Sequence, residues 1–126
     1  MPEDKIPTMV AIALAESGGR SDVRNNNPKT GDDSYGLWQI NMLGDLGPER
    51  RRQYGIESND ELKDPVKNAK AAKYILERGG GLPAWSVYKN RSYEKFLPQA
   101  QEAFKKSGVS APVSYTHLTL PTILRV

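Results

Sequence analysis

The feature that most constrains the fold of this chain is an apolar segment that ends in a single carboxylate. Residues 9–15 read Met-Val-Ala-Ile-Ala-Leu-Ala, and Glu16 follows directly, before Ser17 and two glycines. An almost wholly apolar stretch of helix must be largely buried. Because burial disfavours the charged form of an acid, we expect a raised pKa for Glu16, which suits a general acid near neutral pH. The alternative is an exposed glutamate at a helix end.

Three further motifs follow this segment in a fixed order. Residues 35–41 read Tyr-Gly-Leu-Trp-Gln-Ile-Asn, residues 68–76 read Asn-Ala-Lys-Ala-Ala-Lys-Tyr-Ile-Leu, and residues 85–90 read Trp-Ser-Val-Tyr-Lys-Asn. Together with the Glu-Ser pair that begins at Glu16, they resemble the lysozyme superfamily, and most closely the goose-type lysozymes and soluble lytic transglycosylases. The resemblance covers about residues 6–104, which is a whole domain.

The sequence departs from this superfamily's patterns at two places. The last motif is a partial match, because Lys-Asn-Arg at 89–91 replaces Asn-Ala-Gly. In the similar animal c-type lysozymes an Asp that directly precedes Tyr-Gly is the second catalytic carboxylate, but here that position is Ser34, with Asp33 one residue earlier. A slip of one residue turns a side chain to the opposite face of an extended segment. The chain also has no cysteine, whereas c-type lysozymes are disulfide-bonded. Both differences from the c-type enzymes favour a relation to the lytic transglycosylases and goose-type lysozymes.

The resemblance implies a muramidase that cleaves peptidoglycan at the β-1,4 bond between N-acetylmuramic acid and N-acetylglucosamine, without a metal or cofactor. Glu16 would act as acid and then as base, and Asp33, with Asp32 beside it, is the candidate second carboxylate. In lytic transglycosylases the substrate's acetamido group removes the need for a second carboxylate, whereas some goose-type enzymes hydrolyse, so the product type stays open. The residues expected to bind substrate are Ser17, Ser34, Tyr35, Gln39 and Tyr88.

Several residues within these motifs suit either the cleft or the core. Aromatic faces stack on sugar rings, but burial in the core is the more common fate of an aromatic side chain in a small domain. We expect Tyr35 in the cleft or in the core with equal weight, whereas a position in the core is favoured for Trp38 and Trp85. Asn68 lies on an otherwise apolar helix face, so we expect it to form hydrogen bonds in the core rather than contact a ligand.

Capping and apolar patterns predict a mainly α domain, and the resemblance implies that it is an α+β lysozyme-like fold. We expect a single compact helical domain with a minor β-hairpin or extended segment near the cleft. A loop or irregular hairpin is expected at 21–33, and Pro98 should kink or divide the last helix. Capping signals at 58–61 and 64–65 mark two helix starts. The helices are predicted at 7–17, 47–53, 65–78, 83–88 and 92–106.

The composition shifts abruptly after the domain, which we assign to residues 1–108. Residues 109–126 are expected to be a linker and a non-native tail, because 113–118 resemble the translation of a transposase adapter used in DNA library preparation. His117 would then have no functional role. The competing interpretation is a terminal β-strand, which the β-branched residues of the tail would favour.

Composition limits the classes of partner. Residues 9–15 form the longest apolar run, far short of the ~20 residues that span a bilayer. The net charge of +3 and the arginines at 50–52 favour an anionic polymer, either peptidoglycan or nucleic acid. We expect a monomer that binds peptidoglycan, without a nucleic-acid or membrane partner, and that is secreted, periplasmic or phage-tail associated. The acidic start at 1–4 lacks the basic character of a signal peptide.

A second hypothesis comes from a different class of protein. The departure at 89–91 and the missing second carboxylate are also compatible with a catalytically silent glycan-binding module, such as a structural component of a phage tail. Binding of the glycan without turnover would distinguish this module from the enzyme.

Overall fold

The computed structural model describes residues 3–27 and 29–107, and the predicted tail with His117 lies outside them. The fold is mainly helical with one small antiparallel sheet, as the sequence predicts. Within the described residues, no helix combines the length and the apolar composition needed to cross a membrane. The helices are α1 (Ile6–Ser17), α2 (Leu46–Tyr54), α3 (Pro65–Arg78), α4 (Ser86–Lys89) and α5 (Leu97–Ser107), and the strands are β1 (Arg24–Asn27), β2 (Asp32–Tyr35) and β3 (Ile40–Asn41).

The helix ends follow the local signals in the sequence. Gly18 adopts a left-handed φ of 67° directly after α1, and its N–H donates to the carbonyl of Leu14. A glycine reaches this conformation without the steric cost of a Cβ atom. At the start of α3, the Asp64 side chain accepts the N–H of Lys67. Pro98 lies in the first turn of α5, directly after a 3₁₀ turn, so the predicted terminal helix is divided there.

The sheet is built from the segment predicted as a loop or hairpin and from the motif that follows it. β2 is central and pairs antiparallel with both β1 and β3. Ser34 lies opposite Asn25 on one side and opposite Asn41 on the other. Side chains alternate along a strand, so Asp32 and Ser34 share one face of β2. Asp33 and Tyr35 share the other face.

Helix α1 lies between two groups of core residues, which confirms that its apolar segment is buried. One group packs α1 against the sheet, α3 and the segment before α4, and the other packs it against α5. Burial on both sides explains why nearly every residue before Glu16 is apolar. The buried residues that α1 contributes to these groups are Ile6, Met9, Val10, Ala11, Ile12 and Ala13.

Trp38 connects α1 to the rest of the core by hydrogen bonds as well as by packing. Its side chain is 0% exposed, and its indole Nε1–H donates to the Met9 carbonyl in α1 at 2.8 Å. The backbone N–H of Trp38 donates to Asn68 Oδ1, and its carbonyl accepts from Trp85 Nε1, each at 2.9 Å. The turn that contains Trp38 is therefore joined to three separate parts of the chain.

Asn68 is a fully buried amide whose partners are all backbone groups. In addition to accepting from the Trp38 N–H, its Nδ2 donates to the carbonyls of Tyr35 at 2.7 Å and Leu62 at 2.9 Å. This close approach requires glycine at position 36, where a Cβ would lie 2.3 Å from Asn68 Nδ2 and the φ is +76°. Asn68 thus belongs to the core, where the sequence predicted it.

We expect Asn68→Ala to lower the free energy of unfolding by about 3 kcal/mol or more, because it removes three buried hydrogen bonds and leaves the N–H of Trp38 without its partner. Denaturant unfolding followed by circular dichroism measures the change. Val66→Ala is the matched control: Val66 is on the same helix and 38% exposed, so its loss should stay within about 0.5 kcal/mol. Equal losses for the two variants would contradict the role assigned to the amide.

Candidate active site

A cavity of about 480 Å³ opens between the C-terminal end of α1, the sheet and helix α2. Its walls combine two carboxylates and an arginine with amide, hydroxyl and apolar side chains. Of the residues predicted to form a cleft, Glu16, Ser34 and Gln39 line it. The complete lining consists of Glu16, Asn25, Asp32, Ser34, Gln39, Ile40, Asn41, Leu46, Arg50, Ile75, Ala84, Trp85 and Ser86.

Glu16 occupies the cavity wall in the last turn of α1. Burial and, to a smaller extent, the negative charge of Asp32 together raise the pKa of its carboxyl from 4.5 to about 7. The burial results from the apolar composition of α1, which excludes water that would otherwise solvate the charged carboxylate. At neutral pH, Glu16 is therefore divided between a form that can donate a proton and a form that can accept one.

The structure brings Asp32, rather than the predicted Asp33, into the cavity with Glu16. Asp33 faces away from the cavity, where its Oδ1 accepts from Arg24 Nε at 2.8 Å and its Oδ2 accepts from the Tyr35 hydroxyl at 3.3 Å. The strand pleat explains this arrangement, since neighbouring residues of β2 point to opposite faces. Any role for a second carboxylate at this cavity therefore falls to Asp32.

Gln39 lines the cavity, but its amide also holds the cavity wall together. The residue has a φ of +48°, and its Nε2 donates to the carbonyls of Gly36 at 2.8 Å and Val23 at 3.2 Å. Its Oε1 accepts from Asn25 Nδ2 at 2.6 Å. Gln39 thus fixes the side chain of Asn25, which lines the cavity beside Ser34 on the neighbouring strand.

The other three residues predicted to bind substrate lie outside the cavity lining. Ser17 is buried, and its hydroxyl donates to the Ala13 carbonyl at 2.9 Å. Tyr35 is buried in the core, and Tyr88 stacks on Tyr93 with ring centroids 5.1 Å apart. Their observed contacts stabilise the end of α1 and the packing around it.

Sequence reasoning missed Asn25, Asn41 and Arg50 as cavity residues. The two asparagines lie opposite Ser34 on the neighbouring strands. Strand alternation could have predicted which face they share, but the strand pairing that places them beside Ser34 is defined only in the folded sheet. Arg50 lies four residues after Leu46 on α2, and both line the cavity. The helical period was the available signal for Arg50, since residues four apart share a helix face.

The fold and the cavity define a class of protein: a small α+β domain with a partly buried acid at a polar cavity. The chain belongs to the family of lysozyme-like domains, whose profile matches residues 1–87, and this confirms the resemblance drawn from the motifs. It is also similar to Lysozyme P of Drosophila melanogaster, with 29% identity over 93 residues, 71% of this chain and 66% of that protein. The chain thus spans about two thirds of that relative's length. No solved structure matches the chain.

The raised pKa of Glu16 predicts a pH dependence of stability. The folded state holds this proton more tightly than the unfolded state between the ordinary pKa of 4.5 and about 7. The resulting stabilisation is fully present below about pH 4.5 and is lost as the pH rises through about 7. In Glu16→Gln this titration is absent, so its free energy of unfolding should fall less between pH 4.5 and 8, by on the order of 1 kcal/mol.

Urea unfolding of the wild type and Glu16→Gln at a series of pH values measures this difference directly. Other ionisable groups contribute equally to both proteins, so the difference between the two curves isolates Glu16. Asp33→Asn, which alters a carboxylate outside the cavity, is the control for a general charge effect. Parallel curves for the wild type and Glu16→Gln would show that the Glu16 pKa is not raised by folding.

Proposed function

We propose that this protein is a muramidase that cleaves the β-1,4 bond between N-acetylmuramic acid and N-acetylglucosamine in peptidoglycan. The observation that carries the proposal is Glu16, a carboxyl group with a pKa of about 7 in the wall of a polar cavity. Membership of the lysozyme-like domain family and similarity to Lysozyme P support a glycan-cleaving function.

The proposed first step is protonation of the leaving glycosidic oxygen by Glu16. Cleavage of a glycosidic bond passes through an oxocarbenium-like transition state and needs a proton for the departing oxygen. A carboxyl with an ordinary pKa would be almost wholly ionised at pH 7, whereas Glu16 retains a large protonated fraction. After the bond breaks, the Glu16 carboxylate accepts a proton from the attacking hydroxyl group.

Asp32 is proposed to act on the positive charge that develops on the sugar. It lines the same cavity and makes no ion pair within the described part of the chain, so its charge remains available to the reacting centre. A fixed negative charge near an oxocarbenium ion stabilises the transition state. We assign the covalent role to the acetamido group of the substrate, with Glu16 serving as both acid and base. Attack by the sugar's C6 hydroxyl then gives a 1,6-anhydro product, and attack by water gives hydrolysis.

The proposed substrate determines where the protein acts. Peptidoglycan lies outside the cytoplasmic membrane, so we propose that the protein is secreted, periplasmic or carried on a phage tail. We propose that it acts there as a monomer.

Glu16→Gln should lower the rate of peptidoglycan cleavage by ~10² or more, because the amide keeps the size of the side chain but cannot deliver a proton. The assay is mass spectrometry of muropeptides released from purified bacterial sacculi, in which an anhydro end is lighter by one water than a hydrolysed end. Glu77→Gln, an exposed glutamate on α3, is the matched control and should retain full activity. Binding of sacculi without cleavage by the wild type would favour the silent glycan-binding module.

Asp32→Asn should move the alkaline limb of the pH–rate profile to lower pH. The reaction requires protonated Glu16, so the rate falls as the pH rises through about 7, and the charge of Asp32 contributes to holding that pKa high. Asp33→Asn is the adjacent, isosteric control and should leave the limb where it is in the wild type. If Asp32→Asn instead abolished cleavage as completely as Glu16→Gln, two carboxylates would share the chemistry and the single-glutamate mechanism would be wrong.

A further inference from the structure

Arg50 contributes a cation to the cavity wall that the cleavage chemistry does not use. The residue lies on α2 and is partly buried, and its Nη1 donates to the Asn41 carbonyl at 2.9 Å. Across residues 3–27 and 29–107, its guanidinium makes no other hydrogen bond and no ion pair. A guanidinium carries several N–H donors in a planar fork, so most of its donor capacity is unused by the protein.

The neighbouring arginines are engaged elsewhere, which sets Arg50 apart within the basic run. Arg51 donates to Asn59 Oδ1 at 2.7 Å, and Arg52 forms an exposed ion pair with Glu49. Neither of them lines the cavity. The turn of α2 from Leu46 to Arg50 therefore directs one arginine of the run to the cavity and leaves the other two for structural contacts.

The other charges of the cavity indicate which kind of ligand the Arg50 guanidinium would bind. Asp32 and the ionised form of Glu16 make the wall repulsive to an anionic ligand, and Arg50 is the basic residue among the lining residues. A neutral sugar chain gains little from this cation. A ligand with a carboxylate gains a charge-assisted, two-pronged contact that offsets the repulsion by the acids.

We propose that Arg50 binds a carboxylate carried by the glycan and thereby selects acidic glycans over neutral ones. This inference rests on the proposed function for the identity of the cavity as a glycan site. In peptidoglycan the carboxylate has two sources. On a muramic acid residue without a peptide it is the free lactyl carboxyl, and on a residue that carries a peptide, where the lactyl carboxyl forms an amide, it is a carboxylate of that peptide. Both present the same planar anion to the guanidinium.

The test measures binding rather than cleavage, in full-length protein carrying Glu16→Gln so that no ligand is consumed. Dissociation constants are measured by titration calorimetry for three ligands. These are glycan strands freed of peptide, which expose the lactyl carboxylate; soluble strands that retain their peptides and lack teichoic acid; and a neutral oligomer of N-acetylglucosamine. Adding Arg50→Gln should weaken binding of a carboxylate-bearing strand about tenfold and leave the neutral oligomer unchanged.

Arg52→Gln is the matched control, because it removes the same charge from the same helix at a position outside the cavity. It should leave all three dissociation constants within about twofold of the parent, as expected for a screened, exposed charge. Arg50→Lys keeps the charge but lacks the planar fork, so its affinity for the carboxylate-bearing strands should lie between those of the parent and Arg50→Gln. Unchanged affinity for the neutral oligomer also reports that the cavity is intact.

Each outcome decides the proposal. A loss confined to the peptide-free strands assigns the lactyl carboxylate, and a loss confined to the strands with peptides assigns the peptide carboxylate. An equal loss for the neutral oligomer would overturn the proposal, since Arg50 would then support the cavity only through Asn41. Unchanged affinity for every ligand, or no binding of any ligand, would overturn it as well. Because turnover is not measured, charge-dependent binding would stand even if the wild type failed to cleave peptidoglycan.

Discussion

The buried amide of Asn68 is the interaction on which the rest of the structure depends. In the turn between β2 and β3, the N–H of Trp38 finds its hydrogen-bond partner in a side chain rather than in a neighbouring strand. Asn68 accepts this N–H and donates to the carbonyl of Tyr35, at the end of β2, and to the carbonyl of Leu62, in the 3₁₀ turn before α3. With this turn fixed on α3, Gln39 is held at the edge of the cavity.

Trp38 extends the same constraint to α1, the helix that carries Glu16. Its indole donates to the Met9 carbonyl, which ties the turn to the helix that ends at Glu16. The packing that buries α1 stabilises the fold and at the same time raises the pKa of the carboxyl at its end. The desolvation of Glu16 costs stability above neutral pH, and that cost is inseparable from its capacity to hold a proton near pH 7.

Two other charged residues, Asp32 and Arg50, line the cavity together with Glu16. Asp32 is directed inward by the pleat of β2, and Arg50 by the helical period of α2. We propose that Asp32 favours a developing positive charge on the sugar and that Arg50 favours an anion carried by it. Because Asp32 and Arg50 form no ion pair with each other, neither charge is neutralised within the protein, and the cavity can accommodate both charges of a ligand.

The sequence by itself determined what short-range physics controls. The apolar run before Glu16 requires a buried helix, Gly18 and Asp64 mark helix ends through local hydrogen bonds, and Asn68 on an apolar face requires buried partners. These signals reach only a few residues along the chain. The lysozyme-like family was predicted separately, from the resemblance of four motifs in a fixed order. Only the tertiary structure decided which further side chains share the cavity with the predicted Glu16, Ser34 and Gln39. Asp32 faces Glu16 where Asp33 was predicted, because the register of β2 against two other strands sets which face points inward. The structure places Ser17, Tyr35 and Tyr88 outside the cavity lining, where they form packing contacts and local hydrogen bonds. It places Arg50 in the lining. The sequence could not decide this, because contacts between distant elements fix which face of each helix or strand points toward the cavity.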